Sequence, residues 1–186
     1  MKSTLKRIAR RLLGDYSLYE VWKLRESVTA GTSTNEFTVR EITRRELEDP
    51  RNEQGLRESA WYFGDQSVGF GCFEGDRLLA IAFFWYGKRY AQRLSWPIEP
   101  SSAKLVHIET ADGQRGRGVA TMLIRAASAA MLARGHEALY ARIWHSNVPS
   151  RAAFSRAGWQ RAGWLLQVNP LRRAHPWSLR LHTPRR

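Results

Sequence analysis

The stretch "KLVHIETADGQRGRGVATMLIRAA", residues 104–127, limits the fold more than any other part of the chain. A β-prone run leads through a turn holding Gly116 and Gly118 into an apolar, alanine-rich segment with helical spacing. Strand, glycine turn and helix in direct succession require a sheet with a helix packed on one face. The first amides of such a helix have no internal partner and carry the positive end of its dipole, so the turn suits an anion. Gly116 and Gly118 let backbone approach that anion closely, and Arg115 and Arg117 add charge. The spacing fits neither the G-x-x-x-x-G-K-[ST] nor the G-x-G-x-x-G phosphate loop, which argues against a nucleotide triphosphatase or a Rossmann enzyme.

The remaining elements arrange themselves around this unit. Residues 2–22 read as one helix or two short ones, with Leu5, Ile8, Leu12 and Tyr16 on one side, Lys2, Lys6, Arg7, Arg10 and Arg11 on the rest, and a break at Gly14-Asp15. A small, polar stretch, 27–35, reads as a linker, so residues 1–36 form a basic amphipathic extension with its linker and 37–186 the main domain. "EFTVREI" is a first strand and "ITRRELED" a short helix. The run 68–87 splits into two strands around Gly75-Asp76, a hairpin. The fourth strand is 104–111, followed by a helix whose inner face is Val119, Leu123, Ala126, Ala127 and Ala130 and which stops at Gly135. The fifth strand is 138–144, a second helix ends at Gly158, and short strands near 162–168 and 177–181 close the domain.

Composition sets outer limits. The longest uninterrupted apolar run, Leu78 to Tyr86, is nine residues, under half of a bilayer crossing, and no secretory signal follows the basic N-terminus, which implies a cytoplasmic protein. Cys72 is the single cysteine, so an internal disulfide and a Cys-rich metal site are excluded; no metal is expected, and Cys72 reads as a core residue. The net charge of +13, with 25 arginines against 5 lysines, favours anionic partners: phosphorylated cofactors, nucleic acid or an acidic membrane surface.

Two motifs together carry a resemblance. Arg115-Gly116-Arg117-Gly118-Val119-Ala120 resembles the Q/R-x-x-G-x-G/A signature of the GNAT superfamily of acyl-CoA-dependent N-acyltransferases. About thirty residues later, Asn147, Ser150, Arg151, Phe154 and Gly158-Trp159 resemble that family's second motif, an Asn and a helix ending in Gly-aromatic. The resemblance implies an α/β (α+β) fold, with a mixed, mostly antiparallel sheet of about seven strands, flanking helices, and strands four and five splayed to admit the CoA arm. It implies acetyl-CoA as cofactor, its pyrophosphate on the amides of 115–120 and its arm near Asn147, Ser150, Arg151 and Phe154. The thioester then lies beside strand four, where a backbone amide near Glu109 or Thr110 polarises its carbonyl; a fixed donor to such an oxyanion is worth ~3–4 kcal/mol.

The attacking amine must lose a proton, and Glu109 on strand four is the first candidate base, with His107 and His145 as alternatives. The family's usual acid is a tyrosine on the second helix, and this chain has Phe154 there; Tyr140, Ser155 or water would have to protonate the thiolate. For the acceptor pocket the aromatic segment 83–100 offers Trp85, Tyr86, Tyr90 and Trp96, with Lys88, Arg89 and Arg93 facing a carboxylate or phosphate, and His107 and His145 nearby. The expected reaction is acetyl transfer to a primary amine of a small molecule, such as an amino sugar or nucleotide-sugar of polysaccharide synthesis, by direct attack in a ternary complex. Three other partners stay open: aminoacyl-tRNA or RNA on the basic surface, an anionic membrane against the leading helix, and a second subunit in a homodimer.

Overall fold

The computed structural model describes residues 15–26, 37–91, 99–169 and 177–182. The elements run β1 (Asp15–Leu24), β2 (Thr38–Ile42), α1 (Arg44–Leu47), α2 (Gln54–Arg57), a 3-10 turn (Glu58–Tyr62), β3 (Ser67–Glu74) and β4 (Arg77–Tyr86). They continue with α3 (Gly87–Ala91), β5 (Ser102–Thr110), α4 (Val119–Ala133), β6 (Ala138–Trp144), α5 (Val148–Arg156), β7 (Gln160–Asn169) and β8 (Trp177–His182). The strands form one sheet in the order β2-β3-β4-β5-β6-β1-β7-β8, antiparallel throughout except for β5 beside β6.

The nine-residue apolar run is β4, a central strand buried on both faces. Ala80, Ala82 and Phe84 join the cluster under α4 and α5, while Ile81, Phe83 and Trp85 join the one under α1, α2 and the 3-10 turn. A strand covered on both sides loses the alternation of a half-exposed one and reads as a continuous apolar run. α4 buries Val119, Leu123, Ile124, Ala127, Ser128 and Met131, so its inner face is rotated from the one expected, and Ala126 and Ala130 are only partly buried. Ser128 is inside because its hydroxyl accepts from Trp159 Nε1 at 3.2 Å. Cys72 is fully buried in the α4-side core, where burial pushes its thiol up to about 11.

A second expectation fails. Residues 15–22 are not helical: β1 lies between β6 and β7, with Tyr19 opposite Trp144 on one side and Leu165 on the other. This brings the sheet to eight strands instead of about seven. Tyr, Val and Trp in "DYSLYEVWKL" suit a strand, and the slot between two distant strands, which satisfies both edges of β1, exists only in the folded chain. The rest of the expected leading helix and the linker lie outside the described residues, as do Arg93 and Trp96.

Candidate active site

β5 and β6 part company in the middle of the sheet. Their parallel pairing runs from Ser102 opposite Ala138 to Leu105 opposite Ala141 and goes no further, although β5 continues to Thr110 and β6 to Trp144. The parting coincides with an irregularity in β5 against β4: Phe84 faces Leu105 and Phe83 faces His107, leaving Val106 as an extra residue. A bulge bends the strand that carries it. Beyond it, Ala111 N donates to Leu79 O at 2.8 Å, toward β4. Strand alternation therefore aims the Thr110 amide the other way, into the opening between β5 and β6.

Along the chain, β5 leads into the glycine turn. Gly116 has φ +86° and Gly118 φ +82°, whereas Arg115 and Arg117 are not among the positive-φ residues, so the turn alternates in hand. Such alternation converges successive N–H groups on one point, an anion-binding nest. Gly118 is the N-cap of α4 and no side chain caps that end; a Cβ at Gly116 or Gly118 would meet no protein atom within 4 Å. The turn thus fits a phosphate on all three counts: backbone hand, unsatisfied helix amides and clear space in front of them. Arg117 points elsewhere, donating to Gln114 Oε1 at 2.6 Å and Glu74 Oε1 at 2.5 Å. Arg115 stays exposed and lies 3.6 Å from Glu109.

The other expected residues fall into two groups. Glu109, half-exposed, faces the α1-α2 side of β5 opposite Ile81, on the side where His107 stacks on Tyr62 at 4.3 Å and its Nε2 is 2.9 Å from Ser59 Oγ. The bulge turns Val106 and His107 to that face together. Tyr140 is buried on the same side of the sheet; its hydroxyl donates to Glu99 Oε1 at 3.1 Å, and burial raises its pKa. Trp85 and Tyr90 are core residues, Trp85 Nε1 donating to Tyr62 O at 2.9 Å and the buried Tyr90 hydroxyl pushed well above its usual range by desolvation.

Toward α5, Asn147 is the N-cap, its Oδ1 accepting from Ser150 N at 3.2 Å, and Val119 and Ala120 form the first turn of α4. Phe154 is buried in the core, with Trp159 at 5.0 Å and Trp22 at 6.4 Å. Arg151 pairs with Glu20 of β1 and donates to the His145 carbonyl at 3.1 Å. The His145 ring in turn sits 3.2 Å from Leu18 O. Glu20, missed in the sequence, is the buried carboxylate of this region; nothing in "SLYEVW" marks it, because its partner arginines come from α5 and β7.

Comparison with known proteins agrees with this geometry. The family model of the GNAT acetyltransferases matches residues 37–159, from the residue before β2 to the one before β7. No curated protein matches the chain. Among solved structures, a GNAT-family acetyltransferase from Novosphingobium aromaticivorans is 19% identical with TM-score 0.56, over 83% of this chain and 64% of that one. One from Colwellia psychrerythraea is 14% identical with TM-score 0.59, over 89% and 60%. This chain thus spans less than two thirds of either. An aminoglycoside N-acetyltransferase solved in complex with CoA is 18% identical with TM-score 0.53, over 67% of this chain and 92% of that one. These likenesses show a shared fold. With its model covering more than half of the sequence, including the parted strands and the glycine turn, the chain belongs to the GNAT acetyltransferase family, whose cosubstrate is acetyl-CoA.

Proposed function

We propose that this protein transfers an acetyl group from CoA to a primary amine of a small molecule, by direct attack in a ternary complex. The observation that carries the reading is that β5 parts from β6 and then runs, within a few residues, into the alternating-hand turn at 115–118, whose backbone suits a phosphate. Bound acetyl-CoA supplies a thioester carbonyl open to an amine. The amides of 116–120 hold the pyrophosphate, Asn147 keeps the start of α5 beside the arm, and the Thr110 amide orients the carbonyl from its place in the opening. Glu109 takes the proton from the incoming amine, since its carboxylate is half-exposed and on the face away from α4. Phe154 has no proton to give, and the Tyr140 hydroxyl is engaged with Glu99, so water protonates the leaving thiolate.

An amino sugar is the acceptor class we favour. It is supported by the aminoglycoside enzyme among the structural neighbours and by the aromatic wall of Tyr62 and His107 on the Glu109 side of the sheet. The net charge of +13 favours a second acceptor, aminoacyl-tRNA, for which the basic surface would hold the phosphates. The test is release of CoA thiol from acetyl-CoA across amino sugars, nucleotide-sugars, aminoglycosides and charged tRNA. Release with an amino sugar bears out the first reading, and release with charged tRNA alone moves the acceptor to RNA. No release, together with no CoA binding by calorimetry, overturns acetyl transfer.

A further inference from the structure

Beyond the parting, β6 forms the wall of the opening across from Glu109. Leu139, Ala141 and Ile143 join the core under α4, so Tyr140, Arg142 and Trp144 project from the other face, as strand alternation requires. That is the face of Glu109 and His107. Counted from the last paired residues, Leu105 and Ala141, and with Val106 the extra residue of the bulge, Glu109 and Trp144 reach the same level on the two strands. The end of β6 is fixed from two sides. The Trp144 carbonyl accepts from Asn147 N at 2.9 Å, and the indole meets Tyr19 of β1 edge to face at 5.1 Å and 84°. Tyr19 is itself covered by Arg142, whose guanidinium carbon lies 4.3 Å from the ring centre. Trp144 is the open member of this group, 36% exposed where Tyr19 and Arg142 are half-buried. A neighbouring row of the same face is polar: Ser17, Gln167 and Ser178 stand opposite one another on β1, β7 and β8. β1, which supplies Tyr19 and Ser17, lies outside the matched residues 37–159, so this wall is completed by a strand additional to the family core.

We propose that Trp144 is a specificity-determining residue of the acceptor site, the wall on which the ring of an amino sugar packs while its amine turns to Glu109. The inference rests on the acetyl transfer proposed above and names what selects the acceptor. An indole presents a rigid, flat, apolar face. A ring laid on it loses little freedom, whereas an open-chain amine gives up its rotations to make the same contact. The C–H side of a sugar ring suits such a face, and the sugar hydroxyls suit the donors and acceptors of Ser17, Gln167 and Ser178 beside it. One large aromatic joined to a few polar groups is the usual lining of a small-molecule site. On the Glu109 side, Tyr62 stacks on His107 at 4.3 Å, so aromatic rings flank the acceptor from both strands.

The experiment is steady-state acetylation by the full chain of three ring-borne amines (glucosamine, galactosamine and kanamycin) and two open-chain ones (ethanolamine and putrescine). The unmutated protein should prefer the ring-borne set in kcat/KM. Trp144→Ala should raise KM for the preferred sugar about five- to tenfold and leave kcat and the KM for acetyl-CoA in place, the pattern of a lost binding contact. The same variant should leave the open-chain amines unchanged, so the preference for rings collapses. Trp144→Phe keeps an aromatic face and should stay within about twofold of the unmutated KM. Trp144→Leu keeps apolar bulk without that face and should behave as the alanine variant does, which preserves the test if Trp144→Ala fails to fold. Trp177→Ala, at an exposed tryptophan of the outermost strand, is the control and should change nothing. Turnover without a preference for rings overturns the proposal and leaves acetyl transfer standing, as does an unchanged sugar KM in both Trp144→Ala and Trp144→Leu. A rise in the acetyl-CoA KM equal to that for the sugar also overturns it, because the substitution then disturbs the whole site. Turnover of charged tRNA alone, or of no amine at all, overturns it together with the reading on which it rests.

Discussion

Arg151 of α5 places its Nε 3.1 Å from Oε1 of Glu20, which lies in the interior of the sheet on β1. The pair is unequal. The Glu20 side chain is 1% exposed, whereas that of Arg151 is 37% exposed and reaches water without its partner. Trp22 Nε1 donates to the second Glu20 oxygen at 3.0 Å, and Arg161 stands 3.8 Å from the first. Removing the arginine therefore strands a buried charge, whereas Glu20→Gln keeps an oxygen for Trp22 and leaves only the Arg151 Nε buried beside a neutral group while the rest of that guanidinium reaches water. Arg151→Met should cost about 3 kcal/mol and Glu20→Gln about 1 kcal/mol. Urea unfolding of the two variants measures the ordering, and equal costs would show that Arg161 alone neutralises Glu20.

Gly118 and Gly135 provide a matched pair for the cofactor seat. Both have left-handed backbone, φ +82° and φ +91°, and a Cβ at either meets nothing within 4 Å. Alanine at each should cost about 1 kcal/mol of stability through backbone strain alone. Only Gly118→Ala places its methyl in front of the α4 amides, so only that variant should lose CoA affinity, by about tenfold or more. Calorimetry with CoA showing equal affinity in both would remove the phosphate from this turn.

Glu109→Gln keeps the shape of the side chain and removes its basicity. Turnover should fall ~10²–10⁴-fold with an active amine. The loss should narrow as pH rises, because more of the acceptor is then already neutral. Arg115→Gln, which removes the cation 3.6 Å from Glu109, should change the rate far less. Rate-against-pH curves for Glu109→Gln and wild type that run parallel with a small offset would make Glu109 a surface ion-pair partner only.

Three carboxylates predict the acid limb of stability. Hydrogen bonding from Lys23, with Tyr140 and Arg25, holds Glu99 below its ordinary value of 4.5. The Thr43 backbone and Arg40 do the same for Glu46, as Arg117 does for Glu74. A carboxyl lowered in the folded state takes up protons first in the unfolded chain. The stability it confers is complete above the ordinary value and is lost as pH falls through the lowered one. The melting temperature should therefore drop as pH falls below the ordinary carboxylate value of 4.5, and the drop should be shallower in Glu99→Gln. An unchanged slope in that variant would show that Lys23 and Arg25 lend Glu99 no stability.

The sequence alone determined the local units. Gly75, Gly135 and Gly158 mark real ends because their positive φ is a property of a single residue. The doubly buried β4 is legible as an unbroken apolar run, and the glycine turn as a left-handed, uncapped helix start, because backbone hand and helix amides are set within a few residues. Only the tertiary structure decided the rest. The strand between β6 and β7 is made by residues 15–24, whose spacing also satisfies a helix, and only two waiting sheet edges choose between the two. The roles of single side chains were decided in the same way. Arg117 is held by Glu74 and Gln114, Arg151 by Glu20, and Phe154 by the core, through partners tens of residues distant in the chain or more in all but one case. A side chain's partner depends on which elements meet in space, and that is information no short window of sequence contains.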